Sequence, residues 1–118
     1  MAERRANDRV TPDPDQPIRV QIVGEGFMDE VLARDIGIGG LSVTVSHGFE
    51  GCNIGAPVEL VVTMGRARPF LAHGRIRHHS LLGEGPHFGV EFTRIRPEDR
   101  QRIARYVEMR LALGAVAS

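Results

Sequence analysis

The chain contains no lysine, no tryptophan, one tyrosine and one cysteine. Each shortage excludes something. A single thiol, Cys52, rules out an internal disulfide and a cysteine-based zinc cluster. It fits a reducing compartment, so a cytoplasmic location is expected. No run of about 18 apolar residues occurs, and no membrane insertion is expected. Met1-Ala2-Glu3-Arg4-Arg5 leads into no apolar stretch, so it does not read as a signal peptide. Neither charge is in excess: fifteen acids balance fifteen bases, all of them arginine. A neutral chain lacks the basic surface that neutralises a phosphate backbone, which argues against binding a nucleic-acid polymer. Arginine in place of lysine supplies planar forks suited to phosphates and guanine edges.

What is present describes one soluble domain: 118 residues, 42% hydrophobic and 25% charged, enough to bury one core. Residues 1–16 read as a flexible N-terminal arm, polar and broken by Pro12 and Pro14. Its charges nearly cancel, with Arg4, Arg5 and Arg9 set against Glu3, Asp8, Asp13 and Asp15. From Pro17 onward the pattern is β. Ile18, Val20 and Ile22 alternate with Arg19, Gln21 and Val23, and Gly24-Glu25-Gly26 turns the chain into a return strand from Phe27 to Arg34. Leu41, Val43 and Val45 mark a third strand. Val58 to Met64, Phe70 to His79 and His87 to Thr93 mark three more, separated by glycine-rich turns. About six short strands with short connections predict an antiparallel β-barrel or sandwich.

The period then changes. Pro97 suits a first helical turn, and Glu98 and Asp99 suit the positive end of a helix dipole. Ile103, Tyr106, Val107 and Leu111 form one apolar stripe, and Gly114 is a stop, so a helix is expected over about 97–113. Residues 17–118 thus read as a barrel carrying a C-terminal helix. Met109 and Leu113 are available for a partner or a dimer.

Two segments carry chemistry. Arg5-Ala6-Asn7-Asp8-Arg9 places two arginines four residues apart, and Asp35-Ile36-Gly37-Ile38-Gly39-Gly40 joins an acid to a glycine-rich turn. Arginine pairs with phosphate or with guanine O6 and N7, and stacks on bases. A carboxylate accepts from guanine N–H groups, and glycines allow close backbone approach. Together they suggest a nucleotide receptor, with Arg5, Arg9, Asp35 and Gly40 supplying these functions.

These segments resemble the PilZ domain family, whose hallmarks are an R-x-x-x-R stretch and a D/N-x-S-x-x-G turn. Gly74-Arg75-Ile76-Arg77 and His87-Phe88-Gly89-Val90-Glu91-Phe92 are similar to its later strands. The resemblance implies an all-β fold, a six-stranded antiparallel barrel with a C-terminal helix, and the ligand cyclic di-GMP. It implies that Arg5 and Arg9 clamp phosphate and guanine with Arg4 as a secondary candidate, that Asp35 accepts from guanine, and that Gly39 and Gly40 shape the turn. The output would pass through an unidentified downstream protein, in motility, secretion or exopolysaccharide control. Gly37 stands where the family has serine, so one hydroxyl is missing. A neutral hydrogen bond contributes about 0.5–1.5 kcal/mol, which predicts binding weaker by about tenfold and rescued by Gly37→Ser. The alternative is a degenerate adaptor that binds protein and no nucleotide.

Other chemistries find little support. No G-x-S-x-G nucleophile motif occurs, and Gly37-Ile38-Gly39 lacks the βαβ setting of a dinucleotide fingerprint, so no enzyme activity is expected. No metal site is expected from His73, His78, His79 and His87. His78 and His79 should face opposite sides of a strand, and His73 and His79 should share a side but lie roughly 20 Å apart.

Overall fold

Alternation along the strands decides which residues meet in the interior. In Ile18–Gly24 the side chains of Ile18, Val20 and Ile22 are fully buried while Arg19, Gln21 and Val23 face solvent. The same period puts Val58, Leu60, Val62 and Met64 inside from Pro57–Met64, and Phe88, Val90 and Phe92 from the last strand. A computed structural model describes residues 8–45, 53–80 and 86–117. The strands are β1 (Arg9–Val10), β2 (Ile18–Gly24), β3 (Phe27–Gly37), β4 (Gly40–Thr44), β5 (Pro57–Met64), β6 (Phe70–Ser80) and β7 (His87–Ile95), and α1 (Pro97–Ala112) follows them.

All pairings are antiparallel. They run β3-β2-β5-β6-β7-β4, and β4 pairs back onto β3, so six strands close a barrel. Closure leaves these strands no open edge. Short β1 lies outside the circuit, with Arg9 opposite Gly37 and Val10 opposite Ile36 of β3.

Three features differ from the sequence reading. Residues 8–16 do not all stand away from the barrel. Val10 is fully buried in the core, and Asp13 N–H donates to Tyr106 Oη of α1 at 3.3 Å. Burying Val10 favours seating this half of the arm. β3 continues to Gly37, beyond the expected end at Arg34, because β4 and β1 both supply it with backbone partners. Asp35 and Gly37 therefore sit on a strand, and the turn itself is only Ile38–Gly39. Thirdly, β6 slips in phase: burial alternates up to Ile76, after which Arg77 and His78 are both exposed. The register shift between Ile76 and His78 accounts for this, since Ile76 pairs with Val90 and His78 with Gly89. Arg77 is the extra residue of a β-bulge. The shift also removes the common phase of His73 and His79. The expected loop at 47–56 and the turn at 83–86 fall mostly outside the described residues, as does Cys52.

α1 buries Ile103 and Val107 against the barrel. Its start is tied down by Arg102, which reaches Asp99 at 3.2 Å and the Arg68 carbonyl at 2.6 Å and lies over the Phe70 ring. Gly114, at φ 78°, turns the chain out of the helix in a conformation that favours glycine. The tail then runs beside β1: Thr11 N–H donates to Ala115 O, and Ala117 N–H to Arg9 O, both at 2.9 Å. The strand that carries Arg9 is thus held from both sides. Among the described residues no helix is long and apolar enough to cross a membrane.

Candidate functional site

With Val10 locked in the core, strand alternation directs the neighbouring Arg9 side chain away from it. Arg9 Nη1 donates to Asp35 Oδ1 at 2.8 Å. The two side chains are 35% and 18% exposed, so the pair lies at the surface with the acid more sheltered. A bulge between Ala33 and Asp35 sets the acid's place on β3. The backbone beside them is closely packed. A Cβ on Gly37 would lie 2.6 Å from the Asp8 carbonyl oxygen, and one on Gly40 would run into the Val90 carbonyl. On β7 a Cβ at Gly89 would meet the His78 ring. These glycines serve close approach; none of them has positive φ.

A half-open cleft of about 300 Å³ follows from this arrangement. Arg9, Gly37 and Gly39 form one side; Arg77, His78, Gly89 and Glu91 form the other. Arg77 is held by Glu91, its Nε and Nη2 donating to Oε1 at 3.0 and 2.6 Å. The turn is pinned by Phe92 N–H, which donates to Gly39 O at 2.9 Å. Two guanidiniums and an imidazole line the cleft together with the exposed turn glycine Gly39, which suits a planar, anionic ligand. Asp35 and Glu91 are each engaged by an arginine. Among the described residues no group of three His, Cys, Asp or Glu side chains could hold a metal ion. A larger cavity, about 710 Å³, lies on the barrel wall beside Arg19, Glu30, Leu32 and Thr44, without such opposed cations.

Of the residues expected from the sequence, Arg9 and Asp35 are in contact, Gly37 and Gly39 line the cleft, and Gly40 lies beneath it in the β4–β7 pairing. Arg4 and Arg5 fall outside the described residues. Arg77, His78, Gly89 and Glu91 had no assigned role. Arg77, Gly89 and Glu91 lie in segments that carry a family resemblance and His78 follows one, but that Arg77 and His78 share a side depends on a bulge that periodicity does not reveal.

This geometry defines a small β-barrel with an arginine-flanked cleft at one strand end. The chain belongs to the PilZ domain family, whose model matches residues 3–109. No curated protein matches the sequence. Among solved structures, the fold is similar to the Bacillus subtilis inhibitor of motility MotI/DgrA, with a TM-score of 0.74 and 21% identity, covering 90% of this chain and 50% of that one. It is also similar to the PilZ domain of Escherichia coli YcgR solved with c-di-GMP (TM-score 0.70, 13% identity, 90% of each chain). A third is Borreliella burgdorferi PlzA in complex with c-di-GMP (TM-score 0.61, 17% identity, 87% of this chain and 40% of that one). The chain spans half the length of the MotI structure it resembles. At these identities the likeness is one of fold.

Proposed function

We propose that this chain is a receptor for cyclic di-GMP. The observation that carries the reading is the contact between Arg9 and Asp35 at a cleft that the exposed turn glycine Gly39 also lines, in a segment order that follows the family's ligand motifs. Two structures of the same fold, from YcgR and PlzA, are complexes with that ligand. Arg9 turns its fork from Asp35 toward a phosphate or a guanine edge. The released Asp35 carboxylate then accepts from guanine N–H groups. Gly39 lets the ligand approach the backbone, Gly37 makes room for β1 and so for Arg9, and Gly40 keeps the turn against β7. Arg5, with Arg4 beside it, closes on the ligand from the N-terminal side. Because Val10 anchors β1, the ordering on binding concerns residues that precede Arg9.

The output is a surface read by a partner protein in the cytoplasm, without turnover of the ligand. Motility, secretion and exopolysaccharide production are the candidate pathways. Met109 and Leu113, both more than half exposed near the end of α1, offer apolar contact for that partner or for a second copy. Calorimetry with cyclic di-GMP tests the reading: a saturable heat supports it. Neither heat nor a thermal shift at high micromolar ligand would sink it.

One observation favours a second reading, an adaptor that binds protein and no nucleotide. The space that a side chain at position 37 would need is occupied by the Asp8 carbonyl. A protein partner captured equally well with and without cyclic di-GMP, by a chain that gives no heat with it, would support that reading.

A further inference from the structure

The bulge in β6 puts two consecutive side chains, Arg77 and His78, on the cleft, where an unbroken strand would present one. Arg77 is occupied by Glu91. His78 is exposed, and its ring lies over Gly89 with Nε2 and Cε1 nearest the glycine. Any side chain at position 89 would evict the ring, so the glycine is what allows His78 to rest against the cleft wall. Arg9 from β1 lies across the same cleft.

We infer that His78 is a ligand-contacting residue of this cleft and that its protonation strengthens binding of the phosphodiester ligand. The inference rests on the cyclic di-GMP reading. Histidine is the side chain whose ordinary titration falls between about pH 5 and 8. Phosphodiester groups stay anionic across that range, so a charged imidazole adds a cation to a site that already has Arg9. The charged and titratable groups around it are Arg9 on β1, its partner Asp35 on β3, Arg77 on β6 and Glu91 on β7. The carboxylates are each paired with an arginine, so the cleft gains net positive charge when the imidazole takes up a proton.

The sign follows directly. The protonated form binds the anion better, so affinity rises toward low pH. The size expected is about 1.5-fold to fivefold between pH 8.0 and 5.5, the range for a partly exposed charge contact. The experiment is calorimetric titration with cyclic di-GMP across this range for the wild-type chain, His78→Gln and His78→Lys, each first shown to melt cooperatively. The wild-type affinity should rise toward low pH, His78→Gln should flatten the profile, and His78→Lys should bind tightly throughout. Binding with the same pH slope in wild type and His78→Gln overturns the role of His78 and leaves the receptor reading intact. No binding by any of the three at any pH overturns both.

Discussion

The carbonyl oxygen of Asp8 occupies the place where a side chain on Gly37 would begin: a Cβ there would lie 2.6 Å from it, and 3.3 Å from Arg9 Cδ. Such a contact is too short for carbon and oxygen, and the obstacle is backbone, which yields less readily than a side chain. The glycine is therefore a condition for β1 to lie where it does, with Arg9 opposite position 37.

This reverses the expectation that a serine would improve the site. Gly37→Ser should push β1 away from β3, at a cost of about 1–3 kcal/mol, the range for overpacking. The melting temperature should fall by several degrees and cyclic di-GMP should bind more weakly, because Arg9 loses its seat beside Asp35. Scanning calorimetry and titration measure the two effects. A tighter-binding, equally stable Gly37→Ser variant would show that β1 moves aside at little cost.

Arg9 and Asp35 form a pair that matters more for binding than for folding. A partly exposed ion pair contributes about 0.2–1 kcal/mol to stability. Arg9→Ala and Asp35→Ala should each shift the melting temperature by no more than a few degrees, while cutting affinity for cyclic di-GMP at least tenfold. A double-mutant cycle on stability isolates the pair. A coupling above about 2 kcal/mol would make the contact structural.

The C-terminal tail positions β1 without reaching the cleft. Truncation after Gly114 removes the bonds from Thr11 N–H to Ala115 O and from Ala117 N–H to Arg9 O. Hydrogen exchange at Thr11 should quicken markedly, while amides of Val20 and Leu60 in the barrel stay protected. Ligand affinity should fall with the loss of order at Arg9. Retained protection at Thr11 would show that Val10 and the pairing to β3 hold β1 unaided.

Gly39 and Gly40 separate a ligand role from a structural one. Nothing lies within 4 Å of a Cβ built on Gly39, whereas one on Gly40 runs into the Val90 carbonyl. Gly40→Ala should lower the melting temperature clearly, by disturbing the pairing of Gly40 with Glu91. Gly39→Ala should leave it within about 2 °C of wild type, since surface changes cost within about 0.5 kcal/mol. A loss of affinity in Gly39→Ala then reports the ligand's approach to the turn. A clear destabilisation by Gly39→Ala would assign the glycine to the fold.

Much of the barrel was legible because its signal is local. Ile18, Val20 and Ile22 alternate with residues that face solvent, and Ile103 and Val107 recur at helical spacing; each pattern fits one backbone geometry. The helix expected over about 97–113 is found at Pro97–Ala112. Arg9 and Asp35 were legible as chemical types at a family spacing. Their contact was not, because 26 residues separate them and only the pairing of β1 with β3 brings them together.

The sequence by itself determined the side chains available, the strand and helix periods, and the order of the two motifs. Tertiary structure decided which of those residues share a surface. Val10 went into the core and carried half of the expected arm with it. The β6 bulge turned both Arg77 and His78 to the cleft. Gly37 proved to be a point of close packing, where the sequence had shown only a missing hydroxyl. The physical reason is common to all three. Period is a property of consecutive residues, but register, bulges and backbone approach are set by the partner strand, which lies elsewhere in the chain.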